Sequence, residues 1–157
     1  DAKGRDFDAA AEFQPLSKSY RDYIQIQPNK LSFEYLKTVP EKIKKKLGFK
    51  NPVNLNFIDY KKFIQFDIDR MPVEEKLFPG ISPMWDNSSR RVDQSATIFV
   101  NSSPELFKNW YQKKIQKFTP YSEEENFIFI NAWNEWAEGN HLEPCQKWGK
   151  SFLEVIK

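Results

Sequence analysis

Apolar positions along this chain fall into short runs separated by helically spaced stretches. Asp6 to Phe13 (DFDAAAEF) reads as a short buried strand carrying Glu12 near its end, stopped by Gln14-Pro15. Residues 16 to 57 read as irregular and polar, punctuated by Pro28, Pro40 and Pro52. Asp59 is suited to cap a helix from Tyr60 to about Met71, because Tyr60, Ile64, Ile68 and Met71 recur at helical spacing and Pro72 closes it. Phe78 to Met84 reads as a strand leading into Trp85-Asp86-Asn87. Ser103 followed by Pro104 starts a second helix that runs to about Lys117, with Phe107, Tyr111 and Ile115 on one side. Phe127 to Trp133 (FIFINAW) has the length and composition of a buried strand. A short helix over about Gly149 to Ile156 packs through Phe152, Val155 and Ile156.

Strands that alternate with helices indicate an α/β fold with parallel strands. Polar residues follow the strand ends: Glu12, then Asp86-Asn87, then Asn134-Glu135. In sheets of this kind sites are built at those ends. Neither an internal repeat nor a separate second domain is visible.

Composition narrows the chemistry. A net charge of +2 gives no reason to expect nucleic acid or an anionic membrane as partner. No run approaches the roughly 18 to 20 apolar residues of a membrane helix, so membrane insertion is not expected. No signal peptide is visible, and the expected location is the cytoplasm. One cysteine and one histidine offer little for a disulfide, a zinc site or a Ser-His-Asp system. No metal and no cofactor is therefore expected. His141 reads as structural and Cys145 as an inert thiol. The lysine-rich run Glu41 to Leu47 and the triplet Asp67-Ile68-Asp69 read as solvated charge. Aromatic residues reach 16%. Two readings stay open: rings that stack on sugars, or a core that uses Phe where others use Leu.

Two constellations carry candidate chemistry. In Trp133-Asn134-Glu135-Trp136-Ala137-Glu138-Gly139, two carboxylates three residues apart follow a buried strand. A helical turn there places both on one face. The flanking tryptophans lower the local dielectric, and two carboxyls in unequal surroundings divide the work of acid and base in glycosidic bond cleavage. Against this stands the plainer reading, in which Glu135 caps backbone or pairs with an arginine and Glu138 is merely exposed. In the second constellation Trp85 is a candidate stacking platform, Asp86 and Asn87 candidate hydroxyl ligands, and Arg90 or Arg91 a group that holds Asp86 or meets a phosphate. An Asp-Asn turn with solvated arginines is the alternative.

The stretch FINAWNEWAEGNHLEP (Phe129 to Pro144) resembles the WbsX-type glycosyltransferase-like family, grouped with glycoside hydrolase family 99-like domains. PGISPMWDNSSRR (Pro79 to Arg91) and FDAAAEFQP (Phe7 to Pro15) resemble two further signatures of that family, in the expected order. The resemblance implies a (β/α)₈ barrel acting in bacterial polysaccharide and lipopolysaccharide metabolism. It also implies distant kinship with endo-α-mannosidases, in which the first Glu of Asn-Glu-Trp-x-Glu-Gly is a base on the sugar's 2-hydroxyl and the second is the general acid/base. These match Glu135 and Glu138, and the implied mechanism is retaining and metal-free. Glu12, Trp85, Asp86, Asn87, Arg90, Trp133, Asn134 and Trp136 are the expected contacts to an oligosaccharide. Many relatives have an acid after Leu-Glu-Pro where this chain has Cys145.

A full barrel takes about 250 residues, so residues 1–157 are expected to form a single partial domain, its C-terminal half. The missing N-terminal half is the expected structural partner, without which the piece alone is inactive. Two other classes remain open: a non-catalytic carbohydrate-binding module, and an assembly role for a half-barrel. The family label says transferase, whereas the acidic pair is hydrolase chemistry. Hydrolase-like retaining chemistry is the leading expectation, with a glycosyltransferase the alternative.

Overall fold

Glu12, Asp67, Arg70 and Lys114 come from three separate elements and meet inside the protein, and the fold is arranged around them. The structure, a computed structural model, describes residues 7–26, 55–71, 76–91 and 95–157. The expectations for Asp6, for Pro28, Pro40, Pro52 and Pro72, and for the lysines of Glu41 to Leu47 lie outside these residues.

Two β-α units share one plan. Strand β2 (Leu55–Asp59) runs directly into helix α2 (Tyr60–Asp69), and β5 (Ala96–Val100) leads into α3 (Pro104–Lys117). The Asp59 carboxylate accepts from the Lys62 amide at 3.0 Å, and the Ser103 hydroxyl accepts from the Leu106 amide at 3.3 Å. Each satisfies an N–H that the first helical turn leaves without a partner. Strands β2 and β5 pair in parallel over five residues, from Leu55 opposite Ala96 to Asp59 opposite Val100.

A second parallel group is built on residues 77–81. Strand β3 (Leu77–Phe78) pairs with β1 (Ala10–Ala11), and β4 (Gly80–Ile81) pairs with β6 (Phe129–Ile130). Successive carbonyls of an extended chain point to opposite edges. The Phe78 carbonyl accepts from Glu12 while the Pro79 carbonyl accepts from Phe129, both at 2.9 Å. Residues 77–81 therefore lie between β1 and β6. The observed strands are shorter than expected, because a strand persists only where a neighbour takes up its hydrogen bonds. Beyond Asn131 the chain turns into a small antiparallel hairpin, β7 (Asn134–Glu135) with β8 (Asn140–His141).

Several expectations need correction. Residues 16 to 57 are not irregular throughout: Lys18–Ile26 forms helix α1, burying Ser19, Tyr20 and Tyr23, and Leu55 already belongs to β2. Strand β5 has no counterpart among the expected elements. On α3 the buried side is Phe107, Trp110 and Lys114, while Ile115 is exposed. The last helix, α4 (Ser151–Glu154), is shorter than expected but does bury Phe152. Asp67 is not solvated charge. It accepts from Gln14 Nε2, Trp110 Nε1 and the Ser19 hydroxyl, and pairs with Lys114 at 2.8 Å. A charge enters a core when hydrogen bonds and counter-charges replace water, and here they do.

Among the described residues the aromatic side chains divide between the core and the surface, where Phe7, Phe13, Phe127, Phe129, Trp133 and Trp136 are exposed. Phe63 meets Phe99 at 4.9 Å and Trp110 edge-on at 5.8 Å, and Tyr60 meets Trp110 edge-on at 5.9 Å. Tyr60 also donates to the Ser82 carbonyl at 2.6 Å, tying α2 to the chain that follows β4.

Candidate active site

The acidic segment is held by the β7–β8 hairpin. Glu135 lies opposite Asn140, and between them Trp136–Glu138 forms a single 3₁₀ turn closed by Gly139 at φ 56°. Only glycine adopts that left-handed backbone at no steric cost. A Cβ there would also stand 3.1 Å from the Asp86 Cβ. The hairpin thus presses against residues 86–90, and hydrogen bonds and the Arg90 side chain join the two segments. The Asp86 amide donates to the Glu138 carbonyl at 2.8 Å, the Ser89 hydroxyl donates to the Ala137 carbonyl at 2.8 Å, and Arg90 pairs with Glu138.

Arg90 is where the two acids converge. Its Nη1 lies 3.0 Å from Glu138 Oε1 and 3.8 Å from Glu135 Oε1. Two oxygens that touch one nitrogen are no further apart than the sum of those distances. The pair therefore shares a face, with Glu138 more enclosed than Glu135. Arg90 does not hold Asp86, which instead accepts from the amide and hydroxyl of Ser88 at 3.0 and 2.6 Å.

The other expected contacts divide into those at the surface and those inside. Trp133 and Trp136 are each about half exposed, at 51% and 50%, and Asn134 is exposed. Trp85 is 1% exposed and belongs to the core, with its carbonyl accepting from the Phe99 amide at 2.8 Å. Its ring offers no free face to a sugar. Asn87 is buried and stitched to β5, its side-chain oxygen accepting from the Thr97 amide at 2.8 Å. Glu12 is also buried, pairing with Arg70 and with Lys114 at 2.9 Å and accepting from the Gly80 amide at 3.2 Å. It is a structural group, remote in its contacts from Glu135 and Glu138.

Two residues outside the expected set contact Trp136. The indole Nε1 donates to Glu143 Oε2 at 2.7 Å, and the indole lies against the His141 ring with centroids 3.8 Å apart. Burial pushes the His141 pKa down, and nearby Glu143 opposes this. The return of chain against chain in a hairpin creates these contacts, and no spacing rule supplies them across a turn.

A cavity of 170 Å³ lined by Glu12, Met71, Leu77, Lys117 and Tyr121, among others, shares no residue with the acidic pair. Among the described residues no group of three or more His, Cys, Asp or Glu is placed to hold a metal ion, and no helix is long and apolar enough to cross a membrane.

The family model for glycosyltransferase WbsX matches residues 1–156. An uncharacterized protein, WxcX, of Xanthomonas campestris pv. campestris strain B100 is 34% identical over 93 residues, and WxcX of strain ATCC 33913 matches equally. That match covers 58% of this chain and 13% of each relative, so the chain corresponds to a small part of the relatives' length. No solved structure matches.

Proposed function

The chain belongs to the glycosyltransferase WbsX family, and from that premise we propose that it forms part of an enzyme acting on glycosidic bonds in bacterial glycan metabolism. In this reading it is the C-terminal half of a (β/α)₈ barrel. Three observations support that architecture: strands pairing in parallel, β-α units, and polar segments following the strand ends. A barrel of about 250 residues needs strands from elsewhere, and these complete the site.

The single observation that carries the chemistry is the convergence of Glu135 and Glu138 on Arg90 Nη1. The two Arg90 distances keep both acids within reach of one sugar ring. Glu138, the more enclosed acid, is assigned as general acid/base. Glu135 is assigned as the base that draws the proton from the sugar's 2-hydroxyl as that oxygen attacks the anomeric carbon, while Glu138 protonates the departing glycosidic oxygen as its bond to that carbon breaks. Water or an acceptor hydroxyl, giving its proton to Glu138, then opens the sugar epoxide at the anomeric carbon, and Glu135 returns its proton to the 2-oxygen. Arg90 holds both side chains on the same side, and Trp133, Asn134 and Trp136 supply the exposed surface on which a ring is placed.

A transferase is the second reading, and the family description favours it. The same acid pair serves if the acceptor is a sugar hydroxyl instead of water. The test is turnover of α-linked manno-oligosaccharides by the intact protein, with and without a sugar acceptor. Glu135→Gln and Glu138→Gln should each lower kcat by a factor of at least about 10² while oligosaccharide binding persists. Unchanged turnover in both variants would remove the catalytic assignment, and binding without any turnover in wild type would leave a carbohydrate-binding module.

A further inference from the structure

We propose that Glu143 and His141 are positioning residues that hold the Trp136 indole as a rigid platform for a neutral sugar ring beside the acid pair. The inference rests on the reading above and adds the residues that fix its substrate contact.

An indole on a surface turn ordinarily moves between several rotamers. At Trp136 two independent contacts remove that freedom. The Glu143 carboxylate takes the indole N–H at 2.7 Å, a charge-assisted bond at the ring's edge. The His141 ring covers one face, with planes tilted by 36°. Both clamping residues are themselves fixed. His141 is buried in β8 opposite Asn134, and the Trp133 carbonyl accepts from the amides of Leu142 and Glu143, both at 2.9 Å. Leu142 anchors the segment in the core. The two imidazole nitrogens find no hydrogen-bond partner among the described residues, so His141 contributes to Trp136 through its ring face.

Neither contact uses the rest of the indole, which stays half exposed. It sits in the chain between Glu135 and Glu138, both of which are tied to Arg90. A flat apolar face next to acids that work on a glycosidic bond suits the C–H face of a pyranose. Prior fixation lowers the entropic cost of binding, because the ring is not ordered at the expense of affinity.

The test uses the intact protein with α-linked manno-oligosaccharides, β-linked gluco-oligosaccharides as comparison ligands, and both kinetics and equilibrium titration. Trp136→Ala should raise KM and Kd about tenfold, the size of a lost aromatic stacking contact, with kcat changed less than about threefold, since uniform binding is lost. Glu143→Leu should raise KM about three- to tenfold by the same measure. Glu143→Gln, whose amide oxygen still accepts the indole N–H, should return KM to within about twofold of wild type. His141→Phe, which keeps a flat ring, should likewise behave as wild type where His141→Ala does not. Should His141→Ala fold poorly, the two Glu143 variants decide the matter.

Unchanged KM and Kd in Glu143→Leu overturn the proposal, as does a Glu143→Gln protein that behaves like Glu143→Leu. Wild-type protein that binds none of these ligands overturns it too. The two readings fail separately. Lost turnover in Glu135→Gln and Glu138→Gln with unchanged KM in Glu143→Leu removes the clamp and leaves the acids. Persisting turnover in both acid variants removes the acids, while the titrations still report on the clamp.

Discussion

Lys114 of α3 and Asp67 of α2 meet at 2.8 Å, and neither side chain reaches solvent. Lys114 also touches Glu12 of the segment after β1, 102 residues away, at 2.9 Å, and Arg70 joins both acids from the end of α2. Two cations and two anions thus pin a strand end and two helices to one point. A buried pair of this kind adds little over a well-packed apolar equivalent, but removing one partner leaves a charge uncompensated.

Lys114→Met should therefore destabilise the protein by about 3–5 kcal/mol, measured by denaturant unfolding. The methionine fills similar space, so the loss reports the stranded carboxylates and not a cavity. A change below about 1 kcal/mol would mean that Asp67 and Glu12 are satisfied by their other partners alone.

Glycine positions give a contrast in kind. A Cβ at Gly80 would stand 2.1 Å from the Glu12 carbonyl oxygen, a backbone atom with little room to yield. Gly80→Ala should cost at least about 1–3 kcal/mol by overpacking and push β4 away from the Glu12 backbone. At Gly149, with φ 54°, a Cβ would meet nothing within 4 Å, so Gly149→Ala should cost only the left-handed backbone penalty of about 1–2 kcal/mol. A Gly80→Ala protein that melts with the wild type would refute the close approach at Gly80.

Helix starts are local features and should respond to local change. Ser103→Ala should cost about 1 kcal/mol, and Ser103→Asp should recover it, because a carboxylate also accepts from the Leu106 amide. Denaturant midpoints that do not move in Ser103→Ala would show that Pro104 and the packing of Phe107 set the boundary without the cap.

His141 makes stability depend on pH in a defined direction. Its folded pKa lies below the ordinary value because burial penalises the charged ring. The unfolded chain then binds the proton more readily than the folded one. The stabilisation is fully present above the unfolded value, about 6.5, and is lost as pH falls through the folded value. Melting temperatures from pH 8 to pH 5 should fall on the acid side, and His141→Phe should flatten that portion of the curve. Glu143→Gln should steepen it, since Glu143 favours the charged ring. A wild-type curve that His141→Phe leaves unaltered would assign the acid loss to other groups.

Arg90 is half exposed, and exposed pairs contribute roughly 0–1 kcal/mol. Arg90→Gln should leave unfolding free energy within about 1 kcal/mol of wild type while turnover of the intact protein falls, because Glu135 and Glu138 lose their common partner. Lysine, which reaches as a point charge without the planar fork, should restore turnover only in part. Full activity in Arg90→Gln would show that the acids are placed by the hairpin alone.

Features that a few neighbouring residues can encode were legible in the chain before it folded. Asp59 and Ser103 begin their helices where capping chemistry places them, Phe152 packs inward, and Gly139 takes the backbone conformation that only glycine adopts cheaply. Family membership was legible for the same reason, since its motifs are contiguous. Which polar groups go inside was settled by folding alone. Asp67 reads as surface charge and Lys114 carries no local signal, until Glu12 and Arg70 arrive from distant segments to complete the buried network. Trp85 belongs to the core and not to a platform, and Trp136 gains Glu143 and His141 across the hairpin. Caps and turns are closed within one stretch of chain, whereas burial of a charge or the clamping of a ring depends on partners that only the folded arrangement brings into reach.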